Sequence, residues 1–422
     1  MRRTKWMRLM ALLAGLALVA AACGDDDDGG DASPTTEDGG DESPAPSDGE
    51  GLTVGYVLPQ DGPLGFLGPP QIEGVKLAIE DINAGGGVLG SDVTLLEGNE
   101  GETPQIAKET ANRLVAEGAN VIVGAASSGS SQEFIGDLFG EKIPQCSASN
   151  TSPAFSDQDN AGYYFRTVPP DEAVAPIIAD RVIADGNESV AIVSRADDYG
   201  EALGGLVETA LGDQGATVAA NVSYNPEADN FTAEVDQLVA ASPDAIVLIS
   251  FDEGGDIVAG LLEQGVTADQ IYGGDGVFGP TFVAQVDESD ANVIDGMTVI
   301  GAAGGEDFNE RIADSTDSNF IYGGQAYDCA IIMALAVEQA GTATDGDAII
   351  EAAIDVTGGD GEECDNYADC AEAIRGGEAV NYNGASGAVD LDEVGDPSAG
   401  RYAIGVFTDG AIEIVDSIDV EL

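Results

Sequence analysis

The sequence predicts an α/β fold built from two doubly wound parallel-sheet lobes. Three observations carry this. From Leu52 onward, short β-rich runs alternate with amphipathic helical stretches, and after Arg166 the same alternation restarts. Repeated βα units imply a parallel sheet covered by helices on both faces. Roughly 370 residues of this pattern exceed one ordinary domain, so two similar lobes are expected, each with right-handed crossovers.

Element by element, Leu52–Leu58 reads as the first strand. Across Gln71–Asn83, Ile72, Val75, Ala78, Ile79 and Ile82 recur at helical spacing. Val93–Leu96 follows as a strand, Ile106–Glu117 as a helix, Asn120–Val123 as a short buried strand, Ser130–Phe139 as a helix and Ile143–Cys146 as a strand. In the second half Val190–Val193, Thr217–Val222, Ala245–Ile249, Ile271–Gly273 and Met297–Ile300 read as strands. Helices are expected at Ala173–Ala184, Glu201–Leu211, Phe231–Ala241 and Ile257–Gln264, with a longer apolar one at Asn319–Ala340. In such sheets ligands bind beyond the carboxyl ends of the strands, and two facing lobes make a cleft.

The segment before the first strand is of another kind. Arg2, Arg3, Lys5 and Arg8 precede an apolar run from Leu9 to Ala22 that ends Ala20-Ala21-Ala22-Cys23. This reads as a secretory leader over residues 1–22, too short to span a bilayer, which needs about 20 apolar residues. Cys23 at the junction resembles the bacterial lipobox, whose thiol is lipidated. That implies an extracytoplasmic protein anchored to the membrane by its lipid alone. Residues 23–51 are Asp, Gly, Ser, Pro, Thr and Glu with hardly an apolar side chain, an acidic tether expected to be disordered. Asp25 to Asp28 lack the alternate-acid order of a calcium loop, and no metal site is expected.

The chain holds 14 basic and 78 acidic residues. Four of the basic residues and no acid lie in the leader, which leaves 10 − 78 = −68 after it. Such a surface excludes nucleic acid and anionic lipid as partners and suits salty, halophilic surroundings. There is no histidine, which removes Ser-His-Asp chemistry and His-ligated metals. The dinucleotide fingerprint and the P-loop are also absent, so neither an enzyme nor a cofactor is expected. Cys364 and Cys370, six apart in a Gly/Asp/Asn-rich segment, read as a local disulfide pinning a loop. Cys146 and Cys329 fall in apolar surroundings and stay open between buried thiols and a bonded pair.

Several segments, in order, give the chain a resemblance. They are Val54-Gly55-Tyr56-Val57-Leu58 with Gly62-Pro63, Asp81-Ile82-Asn83 followed by Gly85-Gly86-Gly87, and Val121-Ile122-Val123-Gly124. Ala126-Ser127-Ser128-Gly129, Ser147-Ala148-Ser149-Asn150-Thr151, Phe165-Arg166-Thr167 and Asp198-Tyr199-Gly200 continue the series. Gly273-Gly274-Asp275-Gly276, Ala326-Tyr327-Asp328 and Ser386-Gly387 complete it. From Leu52 onward the chain resembles the branched-chain (leucine/isoleucine/valine) amino acid binding proteins of ABC importers. The resemblance implies a type I periplasmic-binding fold with three crossings as its hinge. Lobe 1 would hold 52–168 plus 304–396, and lobe 2 would hold 169–303 plus 397–422. The implied partners are a small amino acid and ABC permease subunits.

A zwitterion sets the chemistry. Its carboxylate wants hydroxyls and amides at a helix N-terminus, and Ser128 lies between a strand and a helix. By resemblance Ser149 and Thr151 add contacts to the carboxylate and ammonium, and Asp275 receives the ammonium from the second lobe. Tyr199 matches a ligand-facing tyrosine. Phe251 stands where the family often carries Tyr, which makes that wall more apolar. Leu67 and Tyr322 match positions lining the side-chain pocket. A sensor of another small solute, such as an amide or urea, on the same fold is the alternative.

Overall fold

A computed structural model describes residues 51–156, 161–316 and 319–422, so the leader, Cys23 and the tether up to residue 50 lie outside the described residues. The first strand, β1 (Thr53–Leu58), has both faces covered, as its near-continuous apolar run demands of a parallel strand. It pairs on one side with β2 (Thr94–Asn99) and on the other with β3 (Val121–Gly124). β4 (Gln145–Ser147) and β5 (Tyr164–Arg166) extend a five-stranded, all-parallel sheet in the order β2-β1-β3-β4-β5. The crossovers are α1 (Gly68–Ala84), α2 (Pro104–Ala116) and α3 (Ser128–Glu141).

The second sheet is built from α4 (Asp171–Ala184), β6 (Ser189–Arg195), α5 (Gly200–Asp213), β7 (Thr217–Tyr224), α6 (Thr232–Ala240), β8 (Ala245–Ile249), α7 (Gly254–Glu263), β9 (Ile271–Gly273), α8 (Phe282–Asp287) and β10 (Thr298–Ala302). The chain then returns to the first sheet with α9 (Glu306–Ile312), α10 (Gly323–Ala340), α11 (Gly346–Thr357), β11 (Glu362–Cys364), α12 (Tyr367–Gly376), β12 (Val380–Gly384) and β13 (Gly387–Ala388). It crosses once more into a hairpin, β14 (Ala399–Thr408) and β15 (Ala411–Glu421). The second sheet runs β15-β14-β10-β9-β8-β6-β7, and β14 is antiparallel to both of its neighbours. A short third sheet joins β11, β12 and β13.

One detail departs from the sequence reading and two refine it. The apolar helix expected from Asn319 begins at Gly323, because Tyr322 adopts a left-handed φ of 60° that the helical path excludes. The Cys364–Cys370 segment is no plain loop: the disulfide ties the end of β11 to the first turn of α12, whose Asn366 cap accepts from the Asp369 amide. Cys146 and Cys329, left open above, are bonded, which fastens β4 to α10 within a fully buried core.

Several motifs that carried the resemblance turn out to be scaffold. Asp328, fully buried on α10, accepts from the Tyr382 hydroxyl at 2.7 Å, from the Ala385 and Ser386 amides at 2.8 Å each and from the Ser386 hydroxyl at 2.5 Å. That saturates the carboxylate and fixes the β12–β13 turn. Arg166 closes β5 with no exposed surface. Its Nε donates to Asp396 at 2.6 Å, and its Nη1 donates to the Asn150 and Ser152 carbonyls at 3.0 and 2.9 Å. One guanidinium therefore shapes the Ser149–Ser152 loop beside the first crossing.

Candidate functional site

Six loops at the carboxyl ends of β1, β3, β4, β6, β8 and β9 converge on one small, nearly closed pocket. Leu64, Leu67, Ala126, Ser127, Ser128 and Ser149 line it from one side, and Tyr199, Phe251, Asp275 and Gly276 line it from the other, with Tyr322 closing it. The structure thus brings seven expected residues together: Leu67, Ser128, Ser149, Tyr199, Phe251, Asp275 and Tyr322. It does not place Thr151 on the pocket wall. Thr151 is buried behind it, where its carbonyl accepts from the Asp171 amide at 2.8 Å. A larger surface hollow on β11, α12 and β12 is ringed by acids such as Glu362, Asp369 and Glu372, and shares no lining residue with this pocket.

The Ser128 side forms as follows. At the end of β3, Gly124 takes a φ of +106° where a side chain would collide with the Val57 carbonyl, so glycine is required here. Helix α3 then starts at Ser128, two residues earlier than expected, and its first-turn amides have no intrahelical partners. The backbone is pinned from below: Glu100 accepts from the Ala126 amide at 2.8 Å and the Ser127 amide at 3.0 Å. Burial pushes the Glu100 carboxyl up to about 7, against the lowering effect of those two amides. Asn150 donates to the Ala125 and Ala126 carbonyls at 3.1 and 2.9 Å, and the Ser149 hydroxyl donates to Ala126 O at 3.1 Å. The two loops are thereby fixed to each other, a geometry suited to a carboxylate.

The opposite side is acidic and aromatic. Asp275 follows β9 and accepts from the Tyr199 hydroxyl at 2.5 Å and from the Tyr322 hydroxyl. Tyr199 belongs to the second sheet's loops and Tyr322 to the segment leading into α10, so the contact with Tyr322 crosses the cleft. Burial raises the Asp275 carboxyl above its usual range, and the two phenols work against that rise. The Phe251 ring stacks on Tyr199 with centroids 5.4 Å apart. Without a hydroxyl, Phe251 leaves this wall apolar.

One acid escaped the sequence reading. Asp171, at the first position of α4, is completely buried, and neither carboxylate oxygen has a hydrogen-bond partner. Burial, then the negative charge of Asp275, hold its carboxyl well above the usual range. The Thr151 hydroxyl opposes this, although the two do not reach hydrogen-bond geometry. An acid after Pro169-Pro170 looks in sequence like ordinary first-turn charge; only its burial beside Asp275 marks it out. Glu100 was missed for the same reason. Among the described residues no group of three or more acids or cysteines could hold a metal ion.

A chemotactic signal transduction system substrate-binding protein, BasB, of Halobacterium salinarum is 28% identical over 376 residues, 86% of this chain and 89% of that protein. The Leu/Ile/Val-binding protein BraC3 of Rhizobium johnstonii is 25% identical over 306 residues, 71% of this chain and 83% of its own. Among solved structures, the leucine binding protein LivK of Thermotoga maritima superposes with a TM-score of 0.72 at 20% identity, covering 87% of this chain and 98% of that one. LivJ of Streptococcus pneumoniae, a branched-chain amino acid transporter substrate binding protein solved with isoleucine, gives 0.70 at 18% identity, covering 88% and 100%. These structures share the fold, two α/β lobes of the type I periplasmic-binding kind. The periplasmic binding protein family matches residues 51–387, most of the chain, and the chain belongs to that family of binding proteins, not enzymes.

Proposed function

We propose that this protein is an extracytoplasmic, lipid-anchored solute-binding protein that captures a small apolar amino acid, of the branched-chain class, between its lobes and delivers it to an ABC importer. The observation that carries the reading is the single pocket with Ser128 at a helix N-terminus on one wall and Asp275 on the other. The carboxylate is received by hydroxyl and amide donors, with no Lys or Arg lining the pocket. The ammonium is received by Asp275, with Asp171 behind it as a second acid. Leu64, Leu67 and Phe251 surround the ligand side chain. A ligand that touches both walls binds the closed form better and shifts the population toward it. The closed surface then meets the permease, and no bond in the ligand changes. Cys23 supplies the lipid anchor.

A second reading is a receptor that hands its closed form to a signal transducer, and the similarity to a chemotactic substrate-binding protein favours it. Both readings share the same ligand test. In a thermal-shift panel with the twenty amino acids in high salt, a branched-chain amino acid at about 100 times its dissociation constant should add roughly 2.7 kcal/mol of stability. Asp275→Asn should weaken that ligand by about 2–5 kcal/mol and leave the affinity for its deamino analogue nearly unchanged. Equal affinity of the wild type for the amino acid and the analogue would remove Asp275 from the role.

A further inference from the structure

Arg195 closes β6 and brings a cation into the back of the pocket wall. In a chain where 14 basic residues face 78 acids, this one is only 8% exposed. Strands β6 and β8 pair in parallel with Ser194 beside Ile249, so Arg195 ends level with the Ser250–Glu253 segment. Its guanidinium carbon lies 3.5 Å from the centroid of the Phe251 ring. The Nε donates to Asp197 at 2.5 Å and Nη1 donates to Glu253 at 2.7 Å. Glu253 is itself held by the Tyr224 hydroxyl at 2.8 Å. The ring is confined elsewhere as well. A Cβ placed on Gly276 would come within 2.8 Å of Phe251 Cδ1, and Tyr199 stacks on the ring at an interplanar angle of 17°. A continuous series of contacts therefore runs from the clamped guanidinium through Phe251 and Tyr199 to Asp275.

We propose that Arg195 is a positioning residue that fixes the plane of Phe251 and so sets which ligand side chains the pocket admits. This rests on the amino-acid reading of the pocket. Asp197 and Glu253 would anchor the guanidinium whatever stood at position 251, so the ion pairs alone do not account for the stacking. A planar, delocalised cation held by two carboxylates presents a flat face to the ring, which a lysine ammonium cannot reproduce. With the ring immobile, a branched aliphatic side chain meets a rigid wall, and a larger one must displace that wall.

The test is calorimetric titration in high salt of wild type, R195Q, R195K, F251L and the double variant R195Q/F251L with leucine and phenylalanine. R195Q should raise the phenylalanine-to-leucine affinity ratio by about tenfold, equivalent to roughly 1.4 kcal/mol. R195K should move it the same way, because the charge remains without the flat face. In the F251L background R195Q should change the ratio no further, as expected of two residues acting as one unit. Additive effects of R195Q and F251L on the ratio would overturn the proposal. So would an R195Q protein that melts earlier yet keeps the wild-type ratio. Should R195Q fail to fold, R195K and E253Q, which releases one arm of the clamp, decide the question by the same ratio. The wild-type titrations read the amino-acid assignment by themselves, so that assignment and the role of Arg195 fail separately.

Discussion

Asp252 sits where the two walls of the cleft meet. Its amide donates to the Pro63 carbonyl at 3.3 Å across the gap, and its Oδ1 is buried without a partner. Burial first, then the neighbouring Glu253 charge, push its carboxyl up to about 7. A carboxyl raised in the folded state contributes stability that is full below its unfolded value near 4 and is lost as pH rises through about 7. Asp252→Asn cannot ionise and escapes that loss. Thermal melts should show the variant and wild type close together at pH 4, with the variant more stable by about 1–2 kcal/mol at pH 8 after solvent screening. A difference of the same size at both pH values would refute this account. The same scale separates what residues announce from what they hide. Ser128 is legible because it stands between a strand and a helix, and Asp275 because its segment carries the family resemblance; alone, each reads as an ordinary cap or turn residue. Asp171 and Glu100 are not, since each is one of 78 acids and burial is a property of position rather than type.

At the scale of elements, the strands and their crossover helices follow the apolar periodicity, and misplacements fall at ends where local geometry overrides it. The start of α10 is set by the left-handed Tyr322, whose hydroxyl reaches Asp275, a constraint from the far side of the cleft. The strand–helix pair around Cys364 is not legible in the sequence, because short elements set among Gly and Asp carry a weak pattern, whereas α11 has an apolar face that periodicity could have found. The two disulfides differ in what they constrain. Cys146–Cys329 closes 183 residues and Cys364–Cys370 closes 6. Chain-entropy arguments give about 5 kcal/mol for the first and about 2 kcal/mol for the second. Denaturant titrations of C146A/C329A and C364A/C370A should therefore show the larger loss for the first pair. A larger loss for the second pair would mean that the short bridge organises more than its own segment.

For the whole molecule, charge is the dominant fact. A chain of formal charge −64 repels itself in dilute buffer. At about 1 M salt the Debye length falls to roughly 3 Å, which screens contacts between exposed acids. The melting temperature should accordingly rise from dilute buffer to about 1 M NaCl; a flat response would show that self-repulsion does not limit stability. Periodicity and composition alone determined the α/β class, the repeat of the pattern after Arg166 and the exclusion of histidine chemistry, because these depend only on which residues recur and how often. The antiparallel hairpin at the edge of the second sheet, the Cys146–Cys329 bond, the burial of Asp171 beside Asp275 and the stacking of Arg195 on Phe251 were decided by tertiary structure. Each depends on a contact that only the folded chain makes: β14 against β10, β4 against α10, α4 against the loop after β9, and the end of β6 against the loop after β8.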